Sequence, residues 1–382
     1  MLIYLITYAL SCFLIYYGNI QKNKIGKYIV WIGILIPCIL AGLRLHTIGT
    51  DVDVYVKPMV ESAINSKGFN SFFNSKWFYI WAYKSPSEYE IGFVLFVYIL
   101  SKLFSSVQVV LFFIQALISI PIYFALAKYK ELNEKEWLCM LLYYLLFFST
   151  GMNAMRQFIS ISILFYGLSC LINDNKHLKF LLIMIVSFLF HKSAVLGIVF
   201  YILYFLFSDK HLGKKQITIK QKKVKLPVLL CIIFSIILTI LVLDTSIISY
   251  LLKIIGFERY IAYIEGEITI SLKTIIKTSP VIILFYIARK NYFKYENAFL
   301  YFIIYLFSFF LSLFSTASAF GGRVSYVFEI FNIIFFTLLC SNAKNNKKFK
   351  TIFLISYALV FWYYYTVYCG SNETVPYLFY FN

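Results

Sequence analysis

Eleven apolar runs dominate this chain, at about residues 1–17, 28–43, 91–127, 137–150, 157–173, 178–207, 227–243, 271–288, 297–314, 324–340 and 351–368. They are long and unalternating, whereas a membrane β-barrel would read as roughly ten-residue alternating strands. A helix crosses the hydrocarbon layer in about 20 residues, so 91–127 and 178–207 are long enough to fold back on themselves. The second would turn at "HKS", His191–Ser193, and its short arms allow that turn to sit within the bilayer. No soluble core of this size needs 61% hydrophobic and 14% charged residues, with a mean hydropathy of +0.80. The expectation is an all-α, polytopic transmembrane helical bundle of about 12–14 helices. No stretch reads as a separate extramembrane domain, so residues 1–382 are taken as a single integral membrane domain.

Charge sets the expected topology. The net charge of +18 is dispersed among short loops instead of gathering on one face, which argues against a nucleic-acid partner. Placing loops 18–27, 128–136, 173–179, 208–226, 289–296 and 341–350 in the cytoplasm puts 22 of the 35 Lys and Arg there, as the positive-inside rule asks. Eleven of the 17 carboxylates then lie elsewhere: Asp51, Asp53, Glu61, Glu88, Glu90, Asp244, Glu258, Glu265, Glu267, Glu329 and Glu373. Both termini fall outside, and the first run, with no basic leader or small-residue cleavage site, reads as a retained anchor. With the outer loop 44–90 outside and 128–136 inside, 91–127 must cross an odd number of times although its length suits two passes. Either it is one crossing with a shallow arm, or the aromatic stretch Trp77–Tyr83 also enters the membrane. The basic cytoplasmic loop 208–226 reads as a solvated linker touching anionic headgroups. Six of the seven cysteines, Cys231 among them, fall singly in apolar segments and Cys369 stands alone near the end, so neither a metal site nor a disulfide framework follows.

Polar groups interrupt the runs at few places. Arg44, Asp51 and Asp53 lie in "AGLRLHTIGTDVDVY", Ala41–Tyr55; Arg156 lies in "GMNAMRQ"; His191 lies at the expected turn; Arg323 follows "AFGG". All fall on the outer side of the expected topology. An ionisable group near hydrocarbon costs about 2.5–3.5 kcal/mol on insertion scales, so several on one face call for a partner that offsets the cost. In a continuous helix Asn153 and Ser160, at i−3 and i+4, would share the face of Arg156, with Gln157 beside it. Arg323 after Gly321 and Gly322 suits either close approach to a ligand or a helix cap. The Asp51-Val-Asp53 spacing occurs in metal-dependent sugar transferases, but nucleotide sugars are absent from an outer face. Thr50 and Asp51 after Gly49 also suit a helix cap. Asp51 either holds Arg44 or accepts a proton. Trp77, Phe78, Tyr79, Trp81, Tyr83 and Tyr89 suit sugar rings, and equally the membrane interface.

Three blocks, "GLRLHTIGTDVDVY", "GMNAMRQFISISILFYGLSCLI" and "FLFHKSAVLGIVFYIL", together with "GGRVSYVFEIFNIIFF" and the ending "VPYLFYF", resemble the EpsG family of Wzy-like polysaccharide polymerases. They follow the family's order over nearly the whole chain. Val52 after Asp51 departs from the common "GTDY" form, and Lys192 stands where small residues or proline are frequent. The resemblance implies a GT-C-like membrane glycosyltransferase architecture. It also implies an enzyme joining undecaprenyl-diphosphate-linked oligosaccharide repeat units, donor to acceptor, at the outer face of the bacterial cytoplasmic membrane. The product would be a capsule, exopolysaccharide or O-antigen, and a chain-length regulator is an implied partner.

A diphosphate leaving group suits guanidinium forks, which bind phosphate bidentately and stay charged. Arg156 and Arg323 are the expected clamp, with Arg44 third. The attacking hydroxyl needs a base, for which His191 and Asp51 are the candidates, His191 preferred for its near-neutral unperturbed pKa. Asn153, Gln157, Asp53 and Lys192 would support the site. The carrier already activates the donor sugar, so no metal, nucleotide or other cofactor is expected. A transporter or flippase of lipid-linked oligosaccharide is the alternative, and it favours internal repeats that are not evident here. An acyltransferase would need its histidine open to a cytoplasmic donor, whereas His191 is expected outside.

Overall fold

The computed structural model describes residues 1–211, 216–219, 222–226, 229–230, 233, 250, 253, 272–314, 319–341 and 347–381. The run 227–243 with Cys231, and the carboxylates Asp244, Glu258, Glu265 and Glu267, lie outside the described residues, apart from isolated positions of the run. Among the described residues the protein is helical almost throughout, as its runs require. Among the described residues five helices are long and apolar enough to cross a membrane: Leu2–Gln21 (α1), Lys24–Gly42 (α2), Val107–Leu126 (α6), Met155–Asp174 (α9) and Lys347–Tyr368. A sixth is added if Gly322–Glu329 and Asn332–Ser341, bent by 42°, form one span. The described chain forms two compact units, Met1–Val195 with Ala358–Asn382, and Leu196–Tyr357.

The first unit carries most of the groups singled out above. α1 and α2 form an antiparallel pair tied by Ser11 Oγ, which donates to the Gly33 carbonyl at 2.6 Å. α6 and α9 are joined where Ser162 Oγ donates to the Leu117 carbonyl at 3.3 Å. α9 meets α10 (His177–Phe188) through Ser187 Oγ, which donates to the Ser160 carbonyl at 2.8 Å. Hydroxyl contacts of this kind replace, between apolar helices, the hydrophobic drive that lipid does not supply. Between α6 and α9 the chain is helical from Glu136 to Asn153: α7 (Glu136–Tyr143), a π turn (Tyr144–Phe148) and α8 (Ser149–Asn153).

The outer loop is built, not loose. A π turn at Val52–Val56 leads into α3 (Lys57–Asn65), then α4 (Phe69–Phe73) and a hairpin of β1 (Trp77–Tyr79) and β2 (Ala82–Lys84). The register pairs Trp77 with Lys84 and Tyr79 with Ala82. Trp81 at the tip is 92% exposed.

The run 91–127 divides at Ser105, in the left-handed region, and Ser106, whose Oγ caps the next helix by accepting from Val109 N. Its first part, α5 (Ile91–Phe104), has 14 residues, short of a crossing. The Gly92 N–H donates to the Leu189 carbonyl at 2.9 Å. At the other end of α5, Lys102 Nζ donates to the carbonyl of Ser66 at 2.7 Å. α6 then begins against Gly42, whose α-carbon faces the Gln108 carbonyl and Phe112. Both ends of α5 thus lie at the end of the unit where α2 finishes and α9 starts. The run 91–127 is thus two helices, and the aromatic stretch Trp77–Tyr83 lies in a β-hairpin.

In the second unit, α11 (Gly197–Phe207) is followed by β3 (Gln216–Ile219) and β4 (Lys222–Lys225), an antiparallel pair within the loop expected to be a simple basic linker. α12 (Leu272–Tyr292), α13 (Ala298–Phe314), α14 (Ala319–Glu329) and α15 (Asn332–Ser341) follow. Phe200 packs on Phe328 and Phe331 at 4.6 and 4.5 Å between ring centroids. Lys277 pairs with Glu329, which also accepts from Ser325 Oγ at 2.9 Å. α16 (Lys347–Trp362) begins in this unit, and from Ala358 onward it belongs to the first.

Candidate active site

The polar groups of the first unit gather where α2 ends, the α8–α9 helix breaks and the C-terminal segment returns. Ala154, with φ −82° and ψ 55°, breaks the helix directly before Arg156. Asn153 therefore ends α8 and does not share a continuous helical face with Arg156, which corrects the i−3 expectation. Its Oδ1 instead accepts from the Asp51 N–H at 3.3 Å. Ser160, on α9 at i+4 from Arg156, lies in the α9–α10 contact, sharing a hydrogen bond with Ser187 Oγ at 2.8 Å.

Gly49 makes the approach of the Asp51 segment possible. Its φ of +84° is a conformation that L side chains rarely adopt, and a Cβ there would lie 3.0 Å from the Met152 carbonyl oxygen. Thr50 and Asp51 then enter the π turn at Val52–Val56, one turn of which brings Tyr55 back over Asp51. The Tyr55 hydroxyl donates to Asp51 Oδ2 at 2.6 Å. Burial, and secondly the Asp51 carboxylate, push the Tyr55 hydroxyl well above its ordinary pKa, so it stays a donor.

Arg156 sits in the first turn of α9 with its guanidinium against two neighbouring rings, 5.0 Å from the centroid of Tyr55 and 4.8 Å from that of Tyr89, which lie 5.1 Å from each other. Nη1 donates to Glu90 Oε2, while Nε has no partner. Trp77, at the base of the β-hairpin, stacks on the far side of this group at 6.3 Å from Tyr89. Its Nε1 donates to the Val54 carbonyl at 3.0 Å. Burial raises the Tyr89 hydroxyl to about 12, so both rings over the guanidinium are neutral. Tyr55, Tyr89 and Glu90 are the members of this site that sequence reasoning missed. The i to i+4 spacing of Asp51 and Tyr55 was the one signal for the first. For the other two it was a Tyr-Glu pair standing directly before an apolar run.

Arg44 occupies a different position from the one expected. It is 1% exposed, and its Nη2 donates to the Met152 carbonyl at 2.9 Å and to Met155 Sδ at 3.4 Å. The C-terminal segment covers it: Leu45 N–H donates to the Leu378 carbonyl at 2.9 Å and Tyr380 N–H to that of Leu43 at 3.0 Å. Burial lowers its pKa to about 10, so it is charged at neutral pH. Its Nε and Nη1 have no side-chain or backbone partner. Its bond to the Met152 carbonyl fastens the end of α2 to the helix break that presents Arg156.

Asp53 pairs with Nδ1 of His46 at 2.8 Å, both side chains more than a third exposed. Gln157 is buried on α9. His191 follows α10, and its carbonyl accepts from Ser160 Oγ at 3.4 Å, which ties it to the start of α9. Its Nδ1 accepts from the Ser193 N–H at 3.1 Å. A neutral His191 held in this way carries its proton on Nε2 and offers a donor there. Lys192 is exposed. The structure thus brings Asp51, Asn153, Arg156 and His191 to one end of the first unit. Arg323 belongs to the second unit, exposed in the first half of α14.

Such a group can hold an oxyanion on Arg156, with a carboxylate and an imidazole N–H nearby to move or steady a proton. No curated protein and no solved structure matches this chain. Among protein families the match is to the EpsG family, over residues 27–379. That range takes in every residue of the group just described, and on it this chain belongs to the EpsG family, a family of Wzy-like polymerases of polysaccharide biosynthesis.

Proposed function

We propose that this protein joins oligosaccharide repeat units carried on undecaprenyl diphosphate, at the outer face of the bacterial cytoplasmic membrane, into a capsule, exopolysaccharide or O-antigen. Both termini lie outside in this reading, and the architecture is GT-C-like. The observation that carries it is Arg156: a guanidinium packed against two neutral rings and paired with a carboxylate, in a family of polymerases. A planar fork of this kind suits a diphosphate.

The acceptor hydroxyl attacks the anomeric carbon of the donor glycan, and the bond from that carbon to the diphosphate oxygen breaks. The electron pair leaves with the diphosphate, whose growing charge Arg156 stabilises. Arg323 is the second guanidinium proposed for this task. The hydroxyl proton passes to a base. Of the two candidates, Asp51 suits that role, being a carboxylate acceptor. His191 suits donation, because its Nδ1 is engaged by Ser193. The carrier diphosphate already activates the sugar, so the reaction as written calls for no metal or nucleotide. A chain-length regulator would act on the product.

Reconstitution tests this reading. Purified protein in liposomes, given undecaprenyl-diphosphate repeat units, is expected to form polymer ladders. Arg156→Lys should lose at least about tenfold in kcat/KM, since lysine keeps the charge but lacks the planar fork and ring stacking. Full activity in that variant would remove Arg156 from the reaction.

A further inference from the structure

Tyr55 and Tyr89, their centroids 5.1 Å apart, both pack against the Arg156 guanidinium, and an oxyanion bound by the fork would approach in its plane. That plane is already occupied in part: Glu90 accepts from Nη1, and Nε is left without a partner. The two side chains are 12% exposed for Glu90 and 22% for Arg156, so solvent ions screen the pair only weakly. Glu90 is also held firmly in place. It is the N-cap of α5, two residues before Gly92, whose N–H is fixed to the Leu189 carbonyl. A phosphate entering this plane meets a fixed negative charge.

Resting on the diphosphate reading above, the geometry points to Glu90 as a resident counter-ion of Arg156 that competes with the carrier diphosphate. It keeps the guanidinium against the rings while the site is empty, yields the fork to the donor, and returns when the glycan has left. Donor and spent carrier present the same kind of oxyanion to the same fork, so attraction alone would favour both equally and slow product release. A tethered carboxylate that reclaims the arginine speeds that release. Glu90 is a positioning residue on this account.

Full-length protein in detergent, titrated with farnesyl diphosphate as a short polyprenyl diphosphate, distinguishes competition from simple scaffolding. Glu90→Gln is expected to bind the probe roughly tenfold tighter than wild type, the scale of coupling between close, partly desolvated charges. In the polymerisation assay the same variant should lower both KM for donor and kcat, because release becomes slow. Weaker probe binding, or a raised KM, would mean that Glu90 only holds Arg156 in shape and would overturn the proposal. Glu90→Asp decides the matter if the Gln variant does not fold: its shorter side chain keeps the charge but loosens the pairing, and affinity equal to or below wild type would overturn it as well. Absence of saturable probe binding in wild type, with polymer formation also absent, would instead overturn the diphosphate reading itself.

Discussion

Two aspartates two residues apart have separate lives in this protein, and the difference is their partners. Asp51 takes the Tyr55 hydroxyl at 2.6 Å and, through its own N–H, Asn153, beside the break that presents Arg156. Asp53 pairs with a half-exposed His46, and exposed pairs of that kind contribute about 0–1 kcal/mol. Asp51→Asn should therefore cut polymerisation by about 100-fold or more if Asp51 is the base. Asp53→Asn should leave activity within about twofold and thermal stability within about 1 kcal/mol. The reverse order in the reconstituted assay would contradict these assignments. Arg156 and Asp51 were legible in the sequence because a charge in an apolar chain is costly and stands out. Tyr55, Tyr89 and Glu90 were not, because tyrosines in an outer loop resemble interface residues and Glu90 resembles any other outer carboxylate. The burial of Arg44 was equally hidden: it depends on a C-terminal segment more than 300 residues away in sequence.

Among elements, α5 shows most clearly what an apolar run conceals. The length of 91–127 suggested membrane passes, yet two serines stop the first helix after 14 residues and restart the next. The resulting arm carries Glu90 to Arg156 and Gly92 to Leu189. A Cβ on Gly92 would stand 2.7 Å from the Leu189 carbonyl oxygen, a backbone atom with little freedom to give way. Gly92→Ala is thus expected to destabilise the protein by roughly 1–3 kcal/mol, as overpacking does, and to lower activity by displacing Glu90 and the His191 segment together. An unchanged melting temperature of the purified variant would show that the arm is not fixed there. The π turns and the break at Ala154 likewise escaped the hydrophobic pattern, since each shifts the helical phase without changing composition.

For the molecule as a whole, the distribution of apolar and basic residues carried the fold class, because lipid demands helices and loop charge biases orientation. Within the first unit, α9 leads from Arg156 to Asp174, which accepts from Lys128 Nζ at 2.6 Å. Within that unit the basic loops 128–136 and 173–179 therefore lie at the end away from the candidate site. The division into two compact units had no such signature, since apolar runs continue through both. Chain length of the surface polysaccharide, in cells lacking this protein and in cells carrying it again, tests the central claim most directly. The account predicts that the deletion leaves only single repeat units and that restoring the protein restores long chains. Loss of all surface glycan in the deletion, with lipid-linked units accumulating on the cytoplasmic side, would contradict it and identify a flippase.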